Sequence, residues 1–319
     1  MTGADLCHHV QRQLEAQRTR WGLGGGEVVV EPVLNWGGFM KSSFHVTNRA
    51  RALHVKLAMA HDQAELRRWL AVHDVLTAEY RAPRALGWID IPDAGYGGIV
   101  FEHLEGEHWD VRQRPALMNE LVALLDRLHA DRKLAERIGD PPRTYRQCWE
   151  MRYREQFEED LRTVRADRPP VVSESSLAWM EAESRKLLAL GREHPALEGR
   201  TRSLCHWDLW ANNVLVGADG AWWVLDWDGL AVGDEAEDLA TLVWVNVFEL
   251  NQDWREVLGE RDAAMSARID LHLRAIMLDW TIDVLADWVD CAETPWADQV
   301  RVRNEALHLK HMEWYQRRW

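Results

Sequence analysis

Lysine is scarce in this chain: of 38 basic residues only Lys41, Lys56, Lys133, Lys186 and Lys310 are Lys. Positive charge is short overall, with a net −14, which argues against a nucleic-acid binder, since that would carry a basic face. Cysteine is limited to Cys7, Cys148, Cys205 and Cys291, far apart and with no CxxC pair, which suggests neither a zinc site nor a disulfide framework. No apolar run reaches the roughly 18 residues that would span a bilayer. The opening MTGADLCHHVQRQLEAQ has no charged-then-apolar leader, and there are no repeats or low-complexity tracts. A reducing cytoplasm is the expected location. What remains is an ordinary globular composition, 47% apolar and 28% charged, over 319 residues, enough for two lobes. Where Arg is used almost everywhere, a retained Lys marks a place that favours a compact point charge over a planar fork.

The most informative stretch runs from Ser203 to Ala240. It holds Asp208, Asn213 five positions on, and Asp226 eighteen positions after the first. Apolar runs at 213–216 and 222–225 flank Gly217-Ala218-Asp219-Gly220, the pattern of a tight hairpin. Such a hairpin brings residues before its first strand near residues after its second, so the three side chains are expected to converge. Hard oxygen ligands at one point suit Mg²⁺, which leaves its other positions to water and phosphate. Phosphoryl transfer needs that arrangement: positioning, charge neutralisation and an acceptor for a hydroxyl proton.

His206-Trp207-Asp208-Leu209-Trp210-Ala211-Asn212-Asn213 fits H-x-D-x-x-x-x-N and resembles the catalytic loop of the aminoglycoside phosphotransferase and choline kinase superfamily, a branch of the protein-kinase-like fold. The runs Val224-Leu225-Asp226-Trp227-Asp228 and Gly233 to Ala240 are similar to that family's second motif. The resemblance implies a bilobal α+β fold: a small N-terminal lobe over 1–102, with a five-stranded antiparallel sheet and one main helix, and a mostly helical C-terminal lobe over 103–319 containing the catalytic hairpin. It implies ATP, with GTP not excluded, and Mg²⁺ held by Asn213 and Asp226, with Asp208 as the catalytic residue. His206 and His129 take supporting roles, and Asp238 braces the loop. The chain departs from the family at Trp207, where Gly is commoner, and at Trp210-Ala211-Asn212, where His-Pro-Gly is usual.

The N-terminal half reads as a helix over 5–20, strands over 27–36, 44–47 and 52–58, a helix over 62–77, and strands over 83–91 and 98–101. Between the first two strands, Trp36 to Ser43 forms a glycine-containing turn whose backbone N–H groups suit phosphate oxygens. The resemblance puts Lys41, Ser42 and Ser43 over the nucleotide. It makes Lys56 the third-strand lysine on the phosphates and Glu65 its partner; a helix-dipole carboxylate is the plainer role for Glu65. It has the backbone of Glu102 and Leu104 meet the adenine edge.

Helices are expected over 115–129, 144–166, 175–190, 234–250, 261–290 and 296–314. In the penultimate one Asp279, Asp283, Asp287 and Asp290 fall within about an 80° arc, opposite Ile276, Trp280, Val284, Leu285 and Trp288. That face is either a solvated surface or a carboxylate wall for a cationic substrate, with Asp279, Asp283 and Asp287 as its members. The 19 Trp serve mostly packing, with room for one or two to stack on a sugar or an ammonium group. The sequence therefore supports a kinase acting on an aminoglycoside-like or other cationic acceptor, as in antibiotic resistance. A metabolic kinase acting on an amino alcohol, hydroxy amino acid or sugar shares the motifs. A catalytically silent nucleotide-binding module is the reading from another class.

Overall fold

The computed structural model describes residues 3–33, 42–292, 294 and 296–319. In chain order the elements are α1 (Gly3–Ala16), α2 (Arg18–Trp21), β1 (Val29–Val33), β2 (Ser42–Asn48), β3 (Arg51–Met59), α3 (Gln63–Glu79), β4 (Ala85–Ile91), β5 (Tyr96–Glu102) and β6 (Glu107–His108). Then come α4 (Leu117–Ala130), α5 (Arg132–Ile138), β7 (Arg143–Thr144), α6 (Tyr145–Ala166), α7 (Glu174–Glu193), β8 (Arg200–Thr201) and β9 (Leu204–Cys205). The hairpin strands β10 (Val214–Val216) and β11 (Trp222–Val224) are followed by β12 (Ala231–Val232), α8 (Glu235–Phe248), α9 (Trp254–Leu258), α10 (Ala263–Asp290) and α11 (Ala297–Arg318). These elements pack as two units: Met1–Trp109 with Asn212–Leu230, and Asp110–Ala211 with Ala231–Trp319. No helix among the described residues is long and apolar enough to cross a membrane.

The first unit is built on an antiparallel sheet of order β1-β2-β3-β5-β4. Alternation along β3 sends Leu53, Val55 and Leu57 to one face, where they pack with Phe44, Val46, Val100 and the α1 residues Leu6, Val10 and Leu14. Each such burial contributes about 1.5–3 kcal/mol, so α1 is a covering layer of the sheet. His54 and Lys56 point the other way, and their direct partners across β2 are His45 and Ser43. α3 covers this second face through Leu66, Trp69, Val72 and Leu76, with the Trp69 and Phe101 rings 4.7 Å apart. Gly98 on β5 is a packing necessity, since a Cβ there would stand 1.9 Å from the Lys56 carbonyl oxygen.

In the second unit the long helices carry their own start signals. Thr144 and Gln147 form a capping box at α6. Ser173, Asp234 and Asp262 cap α7, α8 and α10 by accepting backbone N–H groups. α10 is buried on nearly every side and packs against α6, α7, α8 and α11. The region after residue 102, expected to be helical apart from the hairpin, also holds β6, β7–β8 and β9–β12. The hairpin thus belongs to a three-stranded sheet, β11-β10-β6, with β10 as its central strand. Two-residue strands such as β7 and β9 carry too short a pattern to read from alternation.

Candidate functional site

Lys56 is the buried charge at the centre of the first unit, 7% exposed on the middle strand of the sheet. Its ammonium donates to Asp226 and lies 3.0 Å from Asp228. Burial alone would push the Lys56 pKa down; the two carboxylates outweigh it and hold the ammonium above the ordinary lysine range. Asp226 and Asp228 follow the hairpin, whose register pairs Val214 with Val224 and Val216 with Trp222. The turn closes where Gly217 N–H donates to Ala221 O at 2.8 Å and Gly220 takes φ +84°. At the open end Leu225 N–H donates to Asn213 O at 2.8 Å, so Asn213 stands beside the residue that precedes Asp226.

Asp226 itself adopts φ 62°, ψ 57°, a left-handed conformation that a non-glycine residue occupies at a cost of about 1–3 kcal/mol. Both Asn213 and Asp226 are half-buried, so their oxygens stay within reach of a ligand. One ammonium against two carboxylates leaves a negative charge over. A hard divalent ion fits this donor set of carboxylate and amide oxygens.

In the second unit Asp208 is exposed on the loop after β9. Its N–H donates to His206 Nδ1 at 3.3 Å, and its carbonyl accepts from Trp210 N–H at 3.2 Å. The loop is held from α8: the buried Asp238 carboxylate accepts from His206 N–H at 2.9 Å and Trp207 N–H at 2.7 Å. It also accepts from the His129 ring at 2.9 Å. Three donors on one carboxylate fix the backbone just ahead of Asp208.

The acidic face of α10 is turned inward. Asp279 is 3% exposed, and Asp283 and Asp287 are half-buried; only Asp290 is exposed. The solvated-surface reading is therefore corrected for Asp279, Asp283 and Asp287: α10 lies at the centre of its unit, and these carboxylates stand beside Arg152 and Asp160 of α6 and Arg303 of α11. Asp279 Oδ2 accepts from Arg152 Nη2 at 3.3 Å, and Arg152 Nε donates to Glu237 Oε1 at 3.1 Å. Nearby Asp160, 6% exposed, accepts from Gln156 at 2.9 Å. Burial, with neighbouring carboxylates adding to it, pushes Asp160 up to about 7. Burial lifts Glu237 to about 8 against the pull of Arg152, with Asp238 and Asp208 adding to the rise. Asp287 rises to about 6, mainly by burial. Burial and the charges of Asp287, Asp279 and Asp160 hold Asp283 well above the usual carboxylate range.

The model of the APH family, "Phosphotransferase enzyme family", matches residues 33–272. The chain belongs to that family. No curated protein matches the chain. Among solved structures it is similar to choline kinase LicA from Streptococcus pneumoniae, at 13% identity over 96% of this chain and 99% of that chain, TM-score 0.61. It is similar to aminoglycoside 2'-phosphotransferase-IIIa in its GDP complex, at 14% identity over 94% and 98%, TM-score 0.60. A third likeness is to an ethanolamine kinase from Plasmodium vivax, at 13% identity over 90% and 84%, TM-score 0.53. At these identities the likeness is one of fold: the kinase-like fold, with a five-stranded antiparallel sheet in the N-terminal part and a helical C-terminal part.

Membership in the phosphotransferase family makes sense of one departure. Trp207, where glycine is commoner, has φ 70°, a region glycine enters at no steric cost. Here the strain is offset by its N–H bond to Asp238 and by its ring lying against Gly233, where a Cβ would stand 2.4 Å away. The other expected residues fall as follows. Lys41 lies outside the described residues. Ser43 is buried opposite Lys56 and Ser42 is half-buried opposite Leu57. Glu65 is exposed in the first turn of α3, while the ion pairs of Lys56 run to Asp226 and Asp228. Glu102 spends its N–H on Arg84 O at 3.0 Å and its carboxylate on Arg51 and Arg84, and Leu104 is half-buried two residues on. Sequence reasoning missed Asp228 as a Lys56 partner, although it sits in the quoted Asp226-Trp227-Asp228 run. It also missed Arg152, Glu237 and Asp160. Glu237 carried a faint signal as the residue before Asp238; Arg152 and Asp160, inside an amphipathic helix, carried none.

Proposed function

We propose that the protein is an ATP-dependent phosphotransferase that moves the γ-phosphate to a hydroxyl of a small molecule. The observation that carries this reading is the meeting of Lys56 with Asp226 and Asp228 at the open end of the hairpin, across a sequence separation of 170 residues. Phosphoryl transfer draws on positioning and charge neutralisation, and both are supported by a buried ammonium set against metal-type oxygens. Lys56 steadies the phosphates, with Glu65 as a further support and Lys41, Ser42 and Ser43 covering them. The backbone at Glu102 and Leu104 holds the base, and GTP is a second nucleotide that this reading admits. Asn213 and Asp226 are the residues that hold Mg²⁺, which when bound neutralises charge on the phosphates. Asp208 accepts or orients the proton of the acceptor hydroxyl. We set the functional boundary between lobes at 102/103.

The acceptor in this reading is cationic, an amino sugar of the aminoglycoside kind, received by Asp279, Asp283 and Asp287. The support is the inward carboxylate face of α10. A panel of amino sugars, amino alcohols, hydroxy amino acids and sugars with MgATP, read as ADP release, tests the reading. Asp208→Asn is expected to lower kcat with the best acceptor by about 10²–10⁴ without moving the melting temperature. An unchanged rate in that variant would remove Asp208 from the chemistry.

A further inference from the structure

The second unit holds a cavity of about 420 Å³ where the first residues of α6 and α8 meet β8 and the head of α5. A space of that order suits a small organic molecule rather than a lone ion. Three arginines line it, Arg132, Arg200 and Arg202, in a chain whose net charge is −14. All three are exposed, and their guanidiniums have no ion pair or hydrogen bond among the described residues. Glu235 is the carboxylate on the wall, and both its oxygens are taken. Tyr145 Oη donates to Oε1 at 3.0 Å, Arg268 Nη2 to the same oxygen at 3.1 Å, and Thr201 Oγ1 to Oε2 at 3.3 Å. The lining thus sets three uncommitted cations against one committed carboxylate.

Ser203 supplies a second and independent observation. It lines the cavity and is 8% exposed. Its N–H donates to Thr201 Oγ1 at 3.0 Å, and its carbonyl accepts from Gly233 N–H at 2.9 Å. Its hydroxyl has no hydrogen-bond partner among the described residues, yet it is not among the side-chain atoms sealed from solvent. A hydroxyl that can donate therefore faces a basic cavity with nothing to donate to.

We propose that this cavity binds a small phosphomonoester, with Arg132, Arg200, Arg202 and the Ser203 hydroxyl on its phosphate. A phosphate ester carries nearly two charges at neutral pH and three strong acceptor oxygens. Guanidinium forks match phosphate oxygens in pairs, and a carboxylate, with two oxygens and one charge, would leave part of this donor set idle. The start of α6 adds to the field, since its first turn carries no acidic residue to cancel the positive end of the helix dipole. The site lies within the second unit, whereas Lys56, Asp226 and Asp228 belong to the first, so it is a phosphate site additional to theirs.

Calorimetric titration of the full chain with glucose 6-phosphate, without MgATP, tests the proposal. Glucose 6-phosphate is expected to bind, and inorganic phosphate to bind about tenfold more weakly because it leaves most of the cavity unfilled. Succinate should give no measurable heat, and saturating MgADP should leave the binding in place. Arg200→Ala, Arg202→Ala and Ser203→Ala should each weaken glucose 6-phosphate about tenfold or more, the loss expected for a hydrogen bond to a charged group. Should the buried Ser203→Ala melt early, the exposed Arg132→Ala serves in its place with the same expectation. Absence of heat with glucose 6-phosphate, or binding unchanged in the arginine variants, overturns the proposal. Succinate or inorganic phosphate binding as tightly would overturn the phosphomonoester assignment, and loss of the heat under MgADP would assign the ligand to the nucleotide's site instead.

Discussion

Lys56 in the first unit and Arg152 in the second are each a cation held between two carboxylates, Asp226 and Asp228 in one case, Glu237 and Asp279 in the other. The difference lies in what is left over. The Asp226 side chain is 35% exposed, and no buried orphan oxygen of Asp226 or Asp228 occurs among the described residues. Both Arg152 partners are almost fully buried, each with an open oxygen, and further carboxylates crowd behind them. Water screens part of the first network, whereas the second is enclosed, and burial raises the pKa of both Arg152 partners. The same pairing therefore lies open to solvent in one place and is enclosed in the other.

The sharpest way to break that comparison is to remove each cation. Arg152→Met leaves two buried carboxylates uncompensated and is expected to cost about 3–5 kcal/mol in urea unfolding. Lys56→Met should cost less, about 1–3 kcal/mol, because Asp226 reaches water, while phosphoryl transfer falls to background. Equal losses in the two variants would erase the distinction.

A smaller effect is the pH slope. Glu237 moves from an ordinary 4.5 to about 8, and Asp160 from 3.8 to about 7. Across roughly pH 4.5 to 8 the folded chain therefore keeps protons that the unfolded chain has shed. Stability should fall as pH rises through that window, by up to about 1.4 kcal/mol per pH unit for each such group. Burial sets this behaviour at Glu237; Arg152 opposes the rise, and Asp238 and Asp208 add to it. Melting temperatures at pH 5, 6, 7 and 8 read it out, and Glu237→Gln should flatten the upper part; a parent profile flat or rising over the window contradicts it.

The smallest effect expected is at Gly233→Ala. The added methyl displaces the half-buried Trp207 ring, at about 1 kcal/mol, the low end for overpacking. Tryptophan fluorescence and a melt would show it, and no change in either would mean that Trp207 does not brace the loop.

Much of this was legible in linear order. The alternation at 53–57 announced a sheet strand with Lys56 turned away from Leu53, Val55 and Leu57, and the glycine-rich turn at 217–220 announced the hairpin that follows Asn213 and precedes Asp226. The helices with clear caps, such as α6 and α10, were found within a few residues of their ends. Asp228 was visible as part of a motif but not as a partner of Lys56, because a hairpin's local pattern says nothing of which strand its end will meet. Residues 36–40 of the expected phosphate turn lie, with Lys41, outside the described residues.

Residue spacing alone determined that Asn213 and Asp226 would flank a hairpin, that Lys56 would lie on a strand, and that α10 would carry its acids in a single stripe. Those are short-range facts, set by the two- and 3.6-residue periods of the backbone. Only the tertiary structure decided that the stripe faces inward, that Arg152 clamps Glu237 and Asp279, and that two of their oxygens stay open. Burial and counter-charge are properties of what packs around a residue, here α6 and α8 brought against α10 from more than a hundred and from some forty positions away, and no local pattern encodes them.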